Sequence, residues 1–416
     1  MSQFSRRGFL KAMGIGAGAA VGTRLAGSSL LGVAKAATPE PTALVCIFLS
    51  GGINAIFTGA DSFLNVSPCD FGVTSNNMAD MGNGLFIDRT LADVIPDGLK
   101  NNVASIGIRH RISAHGQAQR ANFVAESGAS APLMLASAIG GSGTIKAAVL
   151  GSNTLPNGVT PNPVDGISLQ PITDMASTIE ALGGSTNTAA NAVDRNGAAR
   201  GVEAASAMSK AAVEKSPRSL VSVGDGFGSA IETLKKPVIP FNPAEFSAAY
   251  GLNGTAIMQS TADERAMRSQ LAAAELMIRS GTNVCVISNG GGGTWDSHGD
   301  TDGARVRRVF NARIATALQI FLNRVVLGTI AERNVMVALF GDFHRSRNGS
   351  DHQSNLAALV IGKNFKNGTT GKTAPNVSLP DGTPGIEGFW SCLAGAAKVD
   401  KNPFNNGKIE HAALLA

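Results

Sequence analysis

The residues with most chemistry to offer are histidines and aspartates gathered in a few short runs. Trp295-Asp296-Ser297-His298 follows a glycine-rich stretch, Asp342-Phe343-His344-Arg345 follows an apolar run, and Ser350-Asp351-His352 comes soon after. A further segment, Arg109-His110-Arg111-Ile112-Ser113-Ala114-His115, adds two imidazoles. Neutral imidazole nitrogen with anionic carboxylate oxygen suits a divalent ion such as zinc or manganese. An ion of that kind makes a nucleophile of its bound water near neutral pH and holds an anionic ester. Taken singly, each motif also reads as a turn closed by local hydrogen bonds, and Asp351-His352 as an exposed loop pair. Five of the six histidines fall in these segments, and it is the set together that points to a site.

Five apolar runs must position these residues. Ala43–Leu49, Val103–Ile108, Asn283–Ser288, Val335–Phe340 and Leu356–Ile361 are short and rich in Val and Ile, which predicts buried parallel strands. Thr261 and Glu264 form a capping-box pattern, followed by Met267, Leu271, Ala274 and Ile278 at helical spacing. A longer amphipathic helix is predicted from Val306 through Phe310, Ile314, Leu318 and Phe321 to Val325. Strand, helix and strand in this order imply an α/β fold, three layers α/β/α around a mainly parallel sheet. Ligands of such sheets bind outside the carboxyl ends of the strands. Four of the runs lead directly into polar loops, Ser50-Gly51-Gly52-Ile53-Asn54 among them, so one edge collects the chemistry. Residues 150–243, dense in Gly, Asn, Ser, Thr and Pro, read as an irregular insertion or cap. Its Gly224-Asp225-Gly226-Phe227-Gly228 lacks the Lys-Ser/Thr pair of a phosphate loop and reads as a turn.

The N-terminus carries its own message. Ser5-Arg6-Arg7-Gly8-Phe9-Leu10-Lys11, a weakly apolar stretch and Ala34-Lys35-Ala36 form a twin-arginine signal with a small-x-small cleavage pattern. The expectation is a signal peptide over 1–36, one domain over 37–416, and export to the periplasm or medium by the twin-arginine translocation machinery. The signal holds five of the 35 basic residues and no acidic one, which leaves 30 of each in the remainder. The pI near 9.1 therefore belongs to the signal, and nucleic acid is not an expected partner. Gly14-Ile15-Gly16-Ala17-Gly18 follows no strand and is no dinucleotide fingerprint. No later apolar run reaches the ~20 residues that span a bilayer, so no membrane span is expected in the mature form. Of the four cysteines, Cys46 and Cys285 lie in strand-like runs as buried thiols, and a Cys69–Cys392 disulfide is conceivable.

These residues carry a resemblance. The chain resembles the secreted, twin-arginine-exported family known as domain of unknown function fifteen-oh-one, a branch of the alkaline phosphatase and sulfatase-like superfamily. The resemblance covers most of the mature chain and rests on the signal, Leu49-Ser50-Gly51-Gly52, the His115 segment, Trp295-Asp296-Ser297-His298, Asp342-Phe343-His344-Arg345 and Asp351-His352. It implies an alkaline-phosphatase-like core with metals held at strand ends by Asp and His. Three departures stand out. Asn54 occupies a position usually acidic, Ala114 precedes His115 where the family has Ser-His, and Gly341-Asp342-Phe343-His344-Arg345 replaces Ser-Glu-Phe-Gly-Arg.

Two functions fit these residues. In the first, the chain is an exported metal-dependent hydrolase of phosphate or sulfate esters. Asp296, His298, Asp342, His344, Asp351 and His352 are its metal ligands, His115 lines the pocket, Arg345 holds the anionic group, and water replaces the missing serine. In the second, it is a non-catalytic descendant serving as a binding or envelope-structure protein. Asn54 and Ala114 favour the second, and the histidine–carboxylate pairs favour the first.

Overall fold

Every side chain of the first strand, β1 (Thr42–Leu49), is buried, and the strand divides its residues between two cores. Ala43, Val45, Ile47 and Leu49 join one apolar cluster, while Leu44, Cys46 and Phe48 join the other. A period of two with both faces covered is what a central strand between two layers requires. This computed structural model describes residues 42–416 apart from 54, 60–76, 126, 142, 182–199, 202, 205–206, 208–241, 260–263, 290–294, 301–302, 329–332, 346–350, 372–378 and 380. The signal segment, Asn54, Cys69, Thr261 and the Gly224–Gly228 run lie outside the described residues.

A hairpin of β2 (Met78–Gly82) and β3 (Leu85–Asp88) stands apart from the main sheet. The main sheet contains β4 (Val103–Ile108), β5 (Ala147–Leu150), β6 (Leu169–Ile172), β7 (Val284–Asn289), β8 (Asn334–Gly341), β9 (Leu356–Ile361) and β10 (Gly368–Thr370) besides β1. Its order is β10-β4-β9-β8-β1-β7-β5-β6. β8, β1, β7, β5 and β6 pair in parallel, as do β4 and β10. β9 is the exception, antiparallel to both β8 and β4. This corrects the sequence reading, which made it another parallel strand; a continuous apolar run carries no sign of its direction. The reversal has a consequence for the site. Asp351 and His352 precede β9, so they sit at the edge where the parallel strands end.

Helices cover both faces. α1 (His115–Phe123), α2 (Ala131–Ile139) and α7 (Ile386–Ala396) give Phe123, Leu133 and Leu393 to one core. α3 (Pro243–Tyr250), α4 (Glu264–Arg279), α5 (Ala304–Arg313) and α6 (Ala315–Phe321) give Phe246, Leu271, Phe310 and Leu318 to the other. The expected three-layer α/β/α architecture around a mainly parallel sheet is therefore present. The single helix predicted across 306–325 is instead broken at Ile314 (φ −121°) and continues as a π-helical turn, Leu322–Leu327. Of the region expected to be a cap, the described part supplies the edge strand β6. Cys46 and Cys285 are buried thiols, as anticipated, on opposite faces of the sheet. No helix among the described residues is long and apolar enough to cross a membrane.

Candidate metal centre

Three strand ends interlock before any functional side chain is placed. Gly51 has φ +127°, and a Cβ there would lie 2.5 Å from the backbone nitrogen of Asp296. At Gly52 (φ +79°) a Cβ would lie 2.6 Å from the Phe343 ring. Only glycine lets the β1 loop approach the β7 and β8 loops this closely. The Gly51 N–H donates to Asp342 Oδ2 at 3.2 Å, and the Ile53 N–H donates to the Phe343 carbonyl at 3.0 Å.

Arg345 locks the same junction. Its side chain is fully buried; Nε donates to the Gly52 carbonyl (3.1 Å) and Nη2 to the Gly51 carbonyl (2.5 Å) and Asp296 Oδ1 (2.8 Å). Burial lowers its pKa, while Asp296 and Asp342 pull the other way. The guanidinium ties the loops of β1, β7 and β8 into one unit.

Three imidazoles meet above this base. His115 donates through Nδ1 to Asp342 Oδ2 at 2.6 Å. His298 bonds through Nδ1 to Asp296 Oδ1, and its own N–H reaches the same oxygen at 3.3 Å. His352 donates through Nδ1 to the Ser113 carbonyl at 2.7 Å. Each ring is thus held by one nitrogen, and in the neutral ring Nε2 keeps its lone pair. The His352 Nε2 is buried with no hydrogen-bond partner among the described residues. The ring of His352 lies 4.5 Å from that of His115 and 4.8 Å from that of His298, centre to centre. The buried Phe343 backs the rings of His115 and His352 at 4.8 and 4.6 Å. His298 Nε2 faces Asp351 Oδ1 at 3.6 Å, and His298, Asp351 and His352 each offer a ligand atom within 4.8 Å of the others. Half of His298 and most of Asp351 are open to solvent, so the group is reachable from outside.

The electrostatics favour ligand-ready forms. Burial, with the nearby positive charge of His115, Arg345 and His298, lowers the pKa of His352 against the opposing bond to Ser113. Burial raises the pKa of Asp296, but Arg345 and the bonds from His298 outweigh it and hold the carboxyl below its usual range. Beneath them, Asp342 Oδ2 takes three donors: Gly51 N, His115 Nδ1 and Gln119 Nε2 (3.0 Å). Asp342 Oδ1 is buried and has no hydrogen-bond partner among the described residues. The Asp342 carbonyl accepts from His110 Nε2 at 2.9 Å and from Asn122 Nδ2 at 3.2 Å. Because His110 Nδ1 accepts from the Ile112 N–H (3.1 Å), the proton of this ring sits on Nε2. Burial pushes the His110 pKa down to about 4.

The residues expected from sequence are therefore distributed over two jobs. His298, Asp351 and His352 converge as donors. Asp296 and Asp342 lie directly behind the donors, each holding a histidine through Nδ1. His115 joins the ring cluster. His344 is fully buried, its N–H on the Asn355 carbonyl (2.7 Å) and its carbonyl accepting from Gln353 (3.1 Å), and it is not in the converging group. Arg345 was expected to hold an anion; its guanidinium is turned inward onto two carbonyls and Asp296. The turn-like contacts allowed by sequence are present as well, since the His352 N–H bonds Asp351 Oδ1 at 2.7 Å. Sequence reasoning missed Gln119, Asn122 and the Ser113 carbonyl. The first two follow His115 by one and two helical turns, and that periodicity was their only signal.

No family model matches the chain, and no curated protein matches it. Among solved structures, it is similar to a histidine-to-aspartate mutant of TAB5 alkaline phosphatase with magnesium bound in its M3 site. The identity is 10%, with 87% of this chain and 99% of that chain covered and a TM-score of 0.36. The parent alkaline phosphatase from the Antarctic bacterium TAB5 matches over the same shares at 9% identity and a TM-score of 0.32. Ps i-CgsB, solved with k-i-k-neocarrahexaose, matches at 8% identity over 90% of this chain and 75% of that chain, with a TM-score of 0.38. The chemistry of the site is accordingly read from its own residues.

Proposed function

We propose that the chain is an exported divalent-metal-binding protein of the phosphatase and sulfatase-like superfamily, its ion held by His298, Asp351 and His352. One observation carries this reading. Three donors lie within 4.8 Å of one another, and both imidazoles among them are already fixed through their other nitrogen. Two nitrogens and a carboxylate oxygen suit zinc or manganese. The superfamily assignment is supported by the Trp295–His298, Asp342–Arg345 and Asp351-His352 motifs at the carboxyl edge of an α/β/α sheet. The export assignment is supported by the Arg6-Arg7 signal; Arg6→Lys with Arg7→Lys should strand the precursor in the cytoplasm, and normal secretion of that variant would refute it.

When bound, such an ion lowers the pKa of its water and polarises an ester oxygen. The chain's own residues limit the use of that chemistry. Ala114 is the N-cap of α1 and has no side-chain oxygen, so a serine nucleophile is absent from that position. Arg345 spends Nε and Nη2 on the Gly51 and Gly52 carbonyls and Asp296, so its buried guanidinium is committed to joining the loops rather than to a phosphate or sulfate. These two observations favour the second reading, a non-catalytic descendant that binds metal and serves as a binding or envelope-structure protein. Little or no turnover of aryl phosphates or sulfates is expected, and robust turnover by the parent would discard that second reading in favour of water-based ester hydrolysis. Metal binding is tested by thermal unfolding with added zinc or manganese. An ion binding only the folded chain adds about 2.7 kcal/mol at a hundredfold excess over its Kd. The parent should melt higher with the ion and His298→Ala should not respond; a parent indifferent to both ions would overturn the proposal.

A further inference from the structure

We infer that the chain supplies one side of the ion's shell, and that the other side takes a small ligand chelating through oxygens on adjacent carbons, as 2-hydroxy and 2-oxo carboxylates do. The inference rests on the metal reading above and adds the coordination number and the class of ligand. Among the described residues, the donor atoms that converge belong to His298, Asp351 and His352. His298 Nε2 stands 3.6 Å from Asp351 Oδ1, a separation that an ion with bonds of ~2.0–2.2 Å can span. Two imidazoles and one carboxylate gathered on one side suit manganese or ferrous iron with about three positions left to other ligands. Burial says where those positions lie. The rings of His115 and Phe343 back that of His352 at 4.5 and 4.6 Å, centre to centre, and its Nε2 is buried. The side chains of His298 and Asp351 are 49% and 74% exposed. Protein therefore covers the centre on the His352 side, and the face beyond His298 and Asp351 is turned to solvent.

The polar groups behind the donors say what kind of ligand fits. Arg345 directs Nε and Nη2 onto the Gly52 and Gly51 carbonyls and Asp296 Oδ1. Asp342 Oδ2 is committed to His115, Gln119 and Gly51. The guanidinium beside the centre is thus spent inside the fold, and a ligand must gain its hold from the ion. A single oxygen on an exposed ion competes poorly with water. Two oxygens on adjacent carbons close an unstrained ring with the ion. The second bond then forms intramolecularly, which strengthens binding by about a hundredfold. A phosphate or sulfate monoester offers its oxygens from one central atom, and chelation through two of them closes a strained ring. The centre therefore favours the two-oxygen chelator over the tetrahedral anion.

Water relaxation of the full chain loaded with manganese(II) tests this, because it counts the water molecules bound to the ion. The loaded parent should show about three exchangeable waters. Oxalate, the smallest molecule with oxygens on adjacent carbons, should displace about two of them. Gel filtration with metal analysis should find the manganese still on the protein. Half-saturation should need about a hundredfold less oxalate than acetate, and inorganic phosphate should behave as acetate does. Asp351→Ala, checked for folding by circular dichroism, should lose more than about a hundredfold in manganese affinity. Unchanged affinity in that variant would remove Asp351 from the donor set and overturn the inference. A loaded parent with no more than about one bound water overturns it and leaves the metal reading standing. So do waters untouched by oxalate, equal binding of oxalate and acetate, or manganese stripped from the chain by oxalate. A parent that binds zinc but no manganese overturns it too, while one that binds neither sinks the metal reading as well.

Discussion

The two edges of the sheet use buried polar groups in opposite ways. At the amino edge, Arg333 precedes β8 and donates to the carbonyls of Ile278 (3.0 Å), Thr282 (2.6 Å) and Thr42 (2.9 Å) and to Asn283 Oδ1 (2.8 Å). It staples the starts of β1, β7 and β8 to the end of α4. At the carboxyl edge, Arg345 performs the same service for the ends of those three strands. Beside it, however, stand three imidazoles each anchored through Nδ1, with the buried Nε2 of His352 lacking a hydrogen-bond partner among the described residues. An arginine whose donors are matched by acceptors is a fastening. A ring with one anchored and one unused nitrogen is a ligand held ready.

The largest expected effect separates the two arginines. Arg345→Ala would leave two buried carbonyls and Asp296 without their donor and should cost about 3–5 kcal/mol of stability. It should also abolish metal binding, because the loops carrying the donors would no longer be joined. Arg333→Ala should cost about 3 kcal/mol or more by stranding buried acceptors, while the folded fraction keeps its metal affinity. Urea unfolding with metal titration reads both quantities. Equal metal affinity in the two variants would erase the distinction between the edges.

A smaller contrast appears on acidification. Arg333 stays protonated throughout the acid range, its pKa lowered by burial only to about 10. His110, beneath the site, is held neutral with a folded pKa of about 4 against 6.5 for the ordinary ring. The unfolded chain therefore binds the extra proton first as pH falls from 6.5 to 4. Stability conferred by the neutral ring is present above 6.5, lost across that window, and lost no further below 4. The linkage is worth about 3 kcal/mol. His110→Gln should flatten the pH dependence of chelator-treated protein by that amount, measured as the difference from the parent. Parallel curves would show that His110 is not held as described.

The smallest effect is at Ala114. It caps α1 in extended conformation (φ −96°, ψ 125°) with no side-chain bond to the first turn. Ala114→Ser should add roughly 1 kcal/mol through a hydroxyl cap. No gain in denaturant midpoint would mean that the first turn is already satisfied, as it would be if the ring cluster held it.

Much of this was legible in the sequence, for physical reasons. The runs at β1, β4, β7, β8 and β9 were visible because strands buried on both faces must be continuously apolar. The polar loops were visible because five of the six histidines gather in them, although each motif alone reads equally as a turn. The direction of β9 was not, since an apolar run reads the same both ways, and that direction is what delivers Asp351 and His352 to the site. Nor could sequence divide Asp296 and Asp342 from Asp351. The division depends on which carboxylate the Gly51-Gly52 close approach brings against His298, His115 and Arg345, and that is a matter of ångström-scale packing. The contacts of Arg345 were hidden for the same reason: the chemistry of a guanidinium is legible in sequence, but not which acceptors surround it.

The central claim is that the carboxyl edge holds donors with unused capacity. It is tested most directly by elemental analysis of full-length protein recovered from the periplasm or medium, compared with a His298→Ala, His352→Ala double variant. One equivalent of zinc or manganese is expected in the parent and none in the double variant. A parent without metal, or a variant carrying as much as the parent, would contradict it.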